Sequence, residues 1–308
     1  NYLTGKKQMN QKVHYQNCPV CGSDAIGKVL TANDYTVSNE SFEIFHCSNC
    51  QLRFTQDVPD AAHIGPYYKS EEYISHTDTS KGLINKLYQT VRKKTLKSKR
   101  KLIQKETGLR KGQLLDIGSG TGAFVNEMKQ HEWIVTGLEP DEDARMIAKK
   151  SYGIELQNMS LLWQQEPESF DAITLWHVLE HVHELQAYVQ QLHNLLKKDG
   201  RLFIAVPNYT SVDAAIYKEY WAAWDVPRHL YHFSPQAMKV LISQHGMQIL
   251  KYKPMWFDSF YVSMLSSKYK HGKAKLAGSF FNGLKSNFKA MNNVQKCSSV
   301  IYVIAKQA

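Results

Sequence analysis

The chain has 308 residues, 43% hydrophobic and 21% charged, which excludes a disordered or fibrous protein and fits one large domain, or one large and one small. No apolar run reaches the ~18–20 residues of a spanning helix, and the polar opening Asn1–Gln11 lacks the apolar core of a secretion signal, so a cytoplasmic protein is expected. The net charge of +10 is concentrated: from Lys81 to Lys111 twelve basic residues accompany one acid, Glu106, and the remainder is close to neutral.

The N-terminal stretch reads as a metal-bound knob. Cys18 with Cys21 and Cys47 with Cys50 form two Cys-x-x-Cys pairs, set in turns by Pro19, Gly22, Ser48 and Asn49. Two such knuckles on facing hairpins give a tetrahedral thiolate set, the geometry of a structural zinc site with no open position. Short strands at Lys28–Leu30 and Phe42–Phe45 complete a zinc ribbon over residues 1–65. A unit this small buries little core, so metal binding supplies its folding free energy. Two disulfides are the alternative, disfavoured without a secretion signal. Cys297 is left over, as a small residue beside a strand.

Residues 66–111 read as a basic helical linker or lid. Tyr67, Tyr68 and Tyr73 open it, and Leu83, Ile84, Leu87, Tyr88 and Val91 recur at helical spacing. Arg92, Lys93, Lys94, Lys97, Lys99, Arg100 and Lys101 occupy the other faces. They read as a solvated surface across a ligand mouth, or as a footprint for an anionic substrate such as RNA, a nucleotide sugar or a lipid headgroup.

The stretch from Leu114 to Ala123 reads as a strand end, a glycine turn and a helix start. Gly118, Gly120 and Gly122 let backbone approach a ligand closely, and such a turn in an open α/β sheet binds a nucleotide-like cofactor. Gly118, Gly120 and Ala123 also satisfy the dinucleotide fingerprint, and Glu139 ends the next strand, where either cofactor's ribose is held. Asp116 decides between them. A pyrophosphate wants backbone amides with no carboxylate beside it, whereas S-adenosylmethionine carries an amine and a sulfonium and no phosphate.

With these residues the chain, over roughly 112–308, resembles the class I S-adenosylmethionine-dependent methyltransferases. The resemblance implies an α/β, Rossmann-like seven-stranded sheet flanked by helices, following the small four-cysteine zinc ribbon. It implies Asp116 near the methionine amine, Gly118, Ser119, Gly120, Thr121 and Gly122 under the cofactor, and Glu139 bidentate to the ribose hydroxyls. Pro140, Met159, Trp176 and His177 complete the expected cofactor lining. Trp133–Leu138 is the second strand, Asp143–Lys150 its returning helix and Ile154–Leu156 a weak third strand. Asn158 and Met159 then stand where relatives place an acid for the adenine amine, so Met159 or Leu161 is left to cover the ring. Phe170–Leu175 is the fourth strand, apolar as a strand buried on both faces is.

That strand runs into His177, Glu180 and His181. The Asn/Asp-Pro-Pro-aromatic segment of amino methyltransferases is absent, which disfavours methylation of adenine or glutamine nitrogen. On a helix, positions 177 and 181 share a face with 180 beside them. The segment resembles the cation-binding Glu-x-x-Glu-His of quinone-biosynthesis and small-RNA O-methyltransferases, with His177 replacing the first Glu and softening the site toward zinc or manganese. In many relatives it serves only packing and polarity.

Glu184–Leu196 reads as an amphipathic helix and Arg201–Val206 as the fifth strand. An insert at about 207–234 then gathers Trp221, Trp224, Asp225, Arg228, His229, Tyr231 and His232. Its aromatics also suit a lid's own core, and Trp221, Trp224, Asp225, Arg228 and Tyr231 are the acceptor-facing candidates. A histidine titrating near 6.5 suits removal of an acceptor proton, and His229 or His232 is preferred to His181 for that role. A capped helix starts at Ser234–Pro235, and Met247–Tyr252 and Ser299–Ala305 form the closing strand pair. Between them, an insert at about 257–296 mixes lysines and apolar residues, as a cover over the acceptor pocket or a surface for an anionic membrane or RNA.

Three functions follow. The first is a methyltransferase acting on O, N or C of a small molecule such as a sugar or quinone. Deoxysugar C-methyltransferases also pair a four-cysteine region with this cofactor domain, but carry a further C-terminal domain absent here. The second is an RNA methyltransferase led by its zinc ribbon and basic helix. The third is a non-catalytic cofactor-binding interaction protein.

Overall fold

A computed structural model describes residues 12–69, 83–272, 283, 288 and 292–307, with side chains in the helix Leu83–Thr107 described from residue 91. Tyr73, the apolar stripe 83–88 and most of the lysine-rich stretch 273–291 therefore lie outside the described residues or side chains. No helix among the described residues is long and apolar enough to cross a membrane.

The N-terminal unit contributes β1 (Lys12–Val13), β2 (Ile26–Asn33), β3 (Ser41–Cys47), β4 (Arg53–Thr55) and β5 (Val58–Pro59). β2 and β3 form a hairpin whose turn is wound on Asp34: its carboxylate accepts from the amides of Thr36, Val37 and Ser38. The main sheet follows with β6 (Gln113–Ile117), β7 (Ile134–Leu138), β8 (Phe170–Trp176) and β9 (Leu196–Pro207), all parallel, in the order β9-β8-β6-β7. β10 (Tyr231–His232) comes next, then β11 (Met247–Pro254) and β12 (Ser299–Lys306), which close the main sheet antiparallel beside β9.

Parallel strands must be covered on both faces. Helices Ala123–Lys129, Glu142–Tyr152, Leu185–Leu195 and Pro235–Gln244 do this with buried Val125, Met128, Ala148, Val189, Leu192, Met238 and Leu241. The helix Leu83–Thr107 packs on the body through fully buried Ile103, against Leu114, Phe124 and Met128, and through Arg100, which donates to Glu127 at 2.8 Å. Lys93, Lys94, Lys97 and Lys101 face solvent.

Two expectations are corrected. Among the described residues the main sheet has six strands, and the weak third strand shrinks to a single bridge between Leu138 and Gln157; Ile154 and Leu156 instead pack under the glycine turn with Val125 and Ala148. Nor does the ribbon close on itself within 1–65. Its sheet runs β10-β4-β3-β2, so the edge strand Tyr231–His232 comes from the late insert. One apolar core runs from Cys18, Cys50, Leu52 and Phe54 through Tyr231 and Phe233 to Leu115, Ile173 and Ile204.

Candidate functional site

The cofactor side is built at the carboxyl ends of β6, β7 and β8. Asp116, 1% exposed, lies opposite Thr174 across the β6–β8 pair, and the Thr174 hydroxyl donates to its carboxylate at 2.6 Å. Burial pushes the Asp116 carboxyl up to about 6, against the pull of hydrogen bonds from Thr174 and Ser119 and the charge of Lys99. Gly118, Gly120 and Gly122 all have positive φ, and at Gly122 a side chain would also meet the Cβ of Ala148. The amides of Gly118 and Ser119 donate to Leu138. The Glu139 carboxylate accepts from the amides of Gly120, at 2.7 Å, and Asp141, at 3.0 Å. Glu139 thus ties the end of β7 to the glycine turn, and Pro140 continues it, its carbonyl accepting from Arg145. Met159 opens a 3-10 turn capped by Asn158.

Two cations of the helix Leu83–Thr107 reach this turn. Arg92 Nη2 donates to Thr121 Oγ1 at 3.3 Å, and Lys99 Nζ lies 4.2 Å over the ring of Trp176. Burial lowers the Lys99 pKa to about 8, although Asp116 and Asp258 pull it upward. Sequence reasoning grouped both with the solvated lysines. Their seven-residue separation, which puts them on one helix face, is the signal that could have set them apart.

Beyond β8, where acceptor-facing residues were expected, the helix anticipated at 177–181 does not form. His177 has φ 59°, and only Leu179–His181 make a 3-10 turn. His177 therefore turns away from His181: its Nε2 meets Asp258 Oδ2 at 2.9 Å and its Nδ1 lies 3.4 Å from Glu180 Oε1. Burial pulls its pKa down, but these two carboxylates raise it to about 10. It holds charge near the cofactor side without lining the glycine turn.

Glu180 is 0% exposed and neither carboxylate oxygen accepts a hydrogen bond. Burial opposes its ionisation, yet His177, His229 and His181 together hold its pKa below the ordinary value. His181 and His229 meet edge to face, ring centroids 4.6 Å apart. Each Nδ1 lies at hydrogen-bond distance from a backbone carbonyl, that of His181 from Arg228 at 3.0 Å and that of His229 from Ala223 at 2.9 Å. Tyr68, from the linker, also bonds His181 Nδ1. Ligating atoms of Glu180, His181 and His229 lie within 4.8 Å of one another. Burial, then the charge of His229, lowers the His181 pKa to about 4.

The other insert residues are placed differently from expectation. His232 does not join the cluster: its Nε2 pairs with Thr55 Oγ1 at 3.0 Å and its ring abuts Trp224. Trp221 and Trp224 are core residues, their indole nitrogens donating to Asp213 and to the Lys218 carbonyl. Tyr231 is buried between Tyr15 and the His183 carbonyl. Arg228 is 1% exposed, its guanidinium spent on Asp34, Asp225, Thr36 and the Tyr67 carbonyl. Of the acceptor-facing candidates, Asp225 brings its side chain to the cluster, its Oδ2 3.7 Å from His229 Nε2, and Arg228 meets it through its backbone carbonyl. Dense aromatics in an insert covering a ribbon's sheet are consumed by that contact.

The four cysteines converge as expected. Cys18 and Cys50, and Cys21 and Cys47, approach to 3.5 Å between sulfurs. A tetrahedron with bonds of about 2.3 Å to zinc spaces its sulfurs by roughly 3.8 Å, so the donor set and spacing fit that ion.

An open, mostly parallel sheet with a glycine turn and an acid at the tip of its first strand defines a Rossmann-like cofactor-binding protein. Residues 88–252 match the family described as a methyltransferase domain, and the chain belongs to that family. The ubiquinone biosynthesis O-methyltransferase of Glaesserella parasuis is 35% identical over 120 residues, covering 35% of this chain and 50% of that protein. The mitochondrial enzyme of that name from Bos taurus is 27% identical over 165 residues, covering 48% and 44%. The chain thus spans about half the length of the curated relatives it matches. Magnesium protoporphyrin IX methyltransferase from Synechocystis, solved with bound S-adenosylhomocysteine, shares the fold at a TM-score of 0.51 and 15% identity, over 78% of this chain and 97% of that one.

Proposed function

We propose that the chain moves the methyl group of S-adenosylmethionine to a hydroxyl oxygen of a small molecule, with Glu180, His181 and His229 at the reacting centre. The observation that carries this reading is the buried Glu180, lacking hydrogen bonds and facing two imidazoles whose Nδ1 atoms lie at hydrogen-bond distance from backbone carbonyls. Such a cluster, beyond β8 and close to the cofactor turn, suits removal of a hydroxyl proton as oxygen attacks the methyl carbon and the sulfonium leaves as thioether. His229 Nε2 takes the proton, and Glu180 and Asp225 stabilise the imidazolium. Asp116 would hold the methionine ammonium and Glu139 the ribose, with Arg92 and Lys99 facing the methionine carboxylate.

One carboxylate and two imidazoles also fit a divalent cation such as zinc or manganese, which would lower the pKa of a bound hydroxyl. The names of the relatives, O-methyltransferases of ubiquinone biosynthesis, support oxygen as the acceptor atom. A structural zinc at Cys18, Cys21, Cys47 and Cys50 belongs to the same proposal. The RNA reading is weakened because Arg92, Lys99 and Arg100 engage the body of the molecule, which leaves Lys93, Lys94, Lys97 and Lys101 as the exposed cations of that helix stretch.

The test is methyl-labelled S-adenosylmethionine offered with catechols, hydroxyquinones and nucleotide sugars, with and without added Mn²⁺. Label on a hydroxyl oxygen is the expected product. Label on nitrogen or carbon, or none with any acceptor while S-adenosylhomocysteine binds, would overturn the assignment to hydroxyl chemistry.

A further inference from the structure

We infer that the four-cysteine metal site is a positioning device for His229, acting through Thr55, rather than an appended module; the inference rests on the cluster proposed above. β4 begins three residues after Cys50, and its register is set by the knuckle, where the amide of Cys47 donates to the carbonyl of Leu52. β4 is an inner strand, pairing with β3 on one side and with Tyr231–His232 on the other. At its end Thr55 makes three contacts to one short segment. Its amide donates to Leu230 at 2.9 Å, its hydroxyl donates to the carbonyl of His229 at 2.7 Å, and the same oxygen lies 3.0 Å from His232 Nε2. On the opposite side the amide of Leu230 donates to the carbonyl of Glu180 at 2.8 Å. The His229 backbone is therefore clamped between a ribbon strand and the residue whose carboxylate its ring faces.

Two further ties run the same way. Gln51, in the left-handed region directly after Cys50, accepts from Tyr209 and Ser234, close to the two ends of the insert. Asp34, in the β2–β3 turn, pairs with Arg228, the neighbour of His229. By contrast the hydrogen bonds of the glycine turn, Asp116 and Glu139 run to the main sheet, its loops and Arg92 of the helix Leu83–Thr107. The two halves of the site consequently depend on the cysteines unequally. Loss of the metal frees the knuckle, β4 and the 228–232 segment, and leaves the cofactor side standing.

The experiment uses the full chain, zinc-loaded or stripped with a mercurial thiol reagent and a chelator. Two readouts are taken, imidazole ¹H–¹⁵N NMR spectra and calorimetric S-adenosylhomocysteine affinity. Stripping is expected to displace or broaden the His229 and His232 resonances, to leave those of surface His131 unchanged, and to change the affinity by less than threefold. Zinc-loaded Thr55→Val is expected to move the same two resonances with full zinc content and unchanged affinity, and Thr55→Ser to restore them. Unmoved His229 resonances in stripped protein or in Thr55→Val would overturn the inference, as would loss of cofactor affinity on stripping, since the metal would then hold the whole fold. If the loaded wild type fails to bind S-adenosylhomocysteine, the methyl-transfer reading falls, while the histidine resonances still decide this one.

Discussion

The ammonium contact proposed for Asp116 requires a carboxylate that is 1% exposed. Its pKa is raised to about 6 by that burial, and only the ionised form attracts the methionine ammonium. Affinity for S-adenosylhomocysteine should be constant above pH 7 and fall about tenfold per unit below pH 6, as one proton binds to exclude one ligand. Calorimetry from pH 5 to 8 checks this, and a flat profile would remove Asp116 from the ammonium site. Beyond β8, His229 and His232 lie three residues apart in the chain but face different partners. His229→Gln should lower turnover by about 10² to 10⁴, the range of a lost general base, with the KM for S-adenosylmethionine unchanged. A kcat loss below tenfold would mean that seating the acceptor, rather than taking its proton, is the cluster's contribution.

At the scale of elements, the main sheet was legible because its strands are continuously apolar and its turn residues demand positive φ. The paired cysteines were legible because a thiolate site needs that residue type at that spacing, and the fold brings the four together; Asp116 and Glu139 were legible as positions, at the tips of β6 and β7 beside the glycine turn. The pairing of β10 with β4 was not. Two residues, Tyr231 and His232, carry no periodicity, and their partners Phe54 and Arg53 lie far earlier in the chain. Thr55, Lys99 and the true surroundings of Arg228 were hidden for the same reason: their roles are set by contacts between distant segments. Arg228 shows what such a contact is worth. It is buried against Asp34 and Asp225, and removing one partner of a buried ion pair costs about 3 to 5 kcal/mol because the other charge stays behind. Arg228→Met should lose that much in urea unfolding of zinc-loaded protein. A loss under about 1 kcal/mol would mean that the amides of Thr36 and Ser38 satisfy Asp34 unaided.

For the whole molecule, a single apolar core passing from the cysteine knuckles through β10 to the main sheet predicts one cooperative melting transition in the loaded protein. A ligand that binds only the folded state at a hundredfold over its Kd adds about 2.7 kcal/mol, worth roughly 4 °C for a chain of 308 residues melting as one unit. S-adenosylhomocysteine should therefore move the entire calorimetric peak of the zinc-loaded chain, including heat absorbed by the ribbon. Stripped of metal, the same chain should show an earlier transition that the ligand does not shift, followed by the cofactor domain, which it does. The contrast follows from the hydrogen bonding: the ribbon and the 228–232 segment hold each other, whereas the glycine turn is anchored on β7. Two separate peaks in the loaded protein, only one of them sensitive to S-adenosylhomocysteine, would mean that the shared core is too weak to couple the units, and that His229 is held from the methyltransferase side alone.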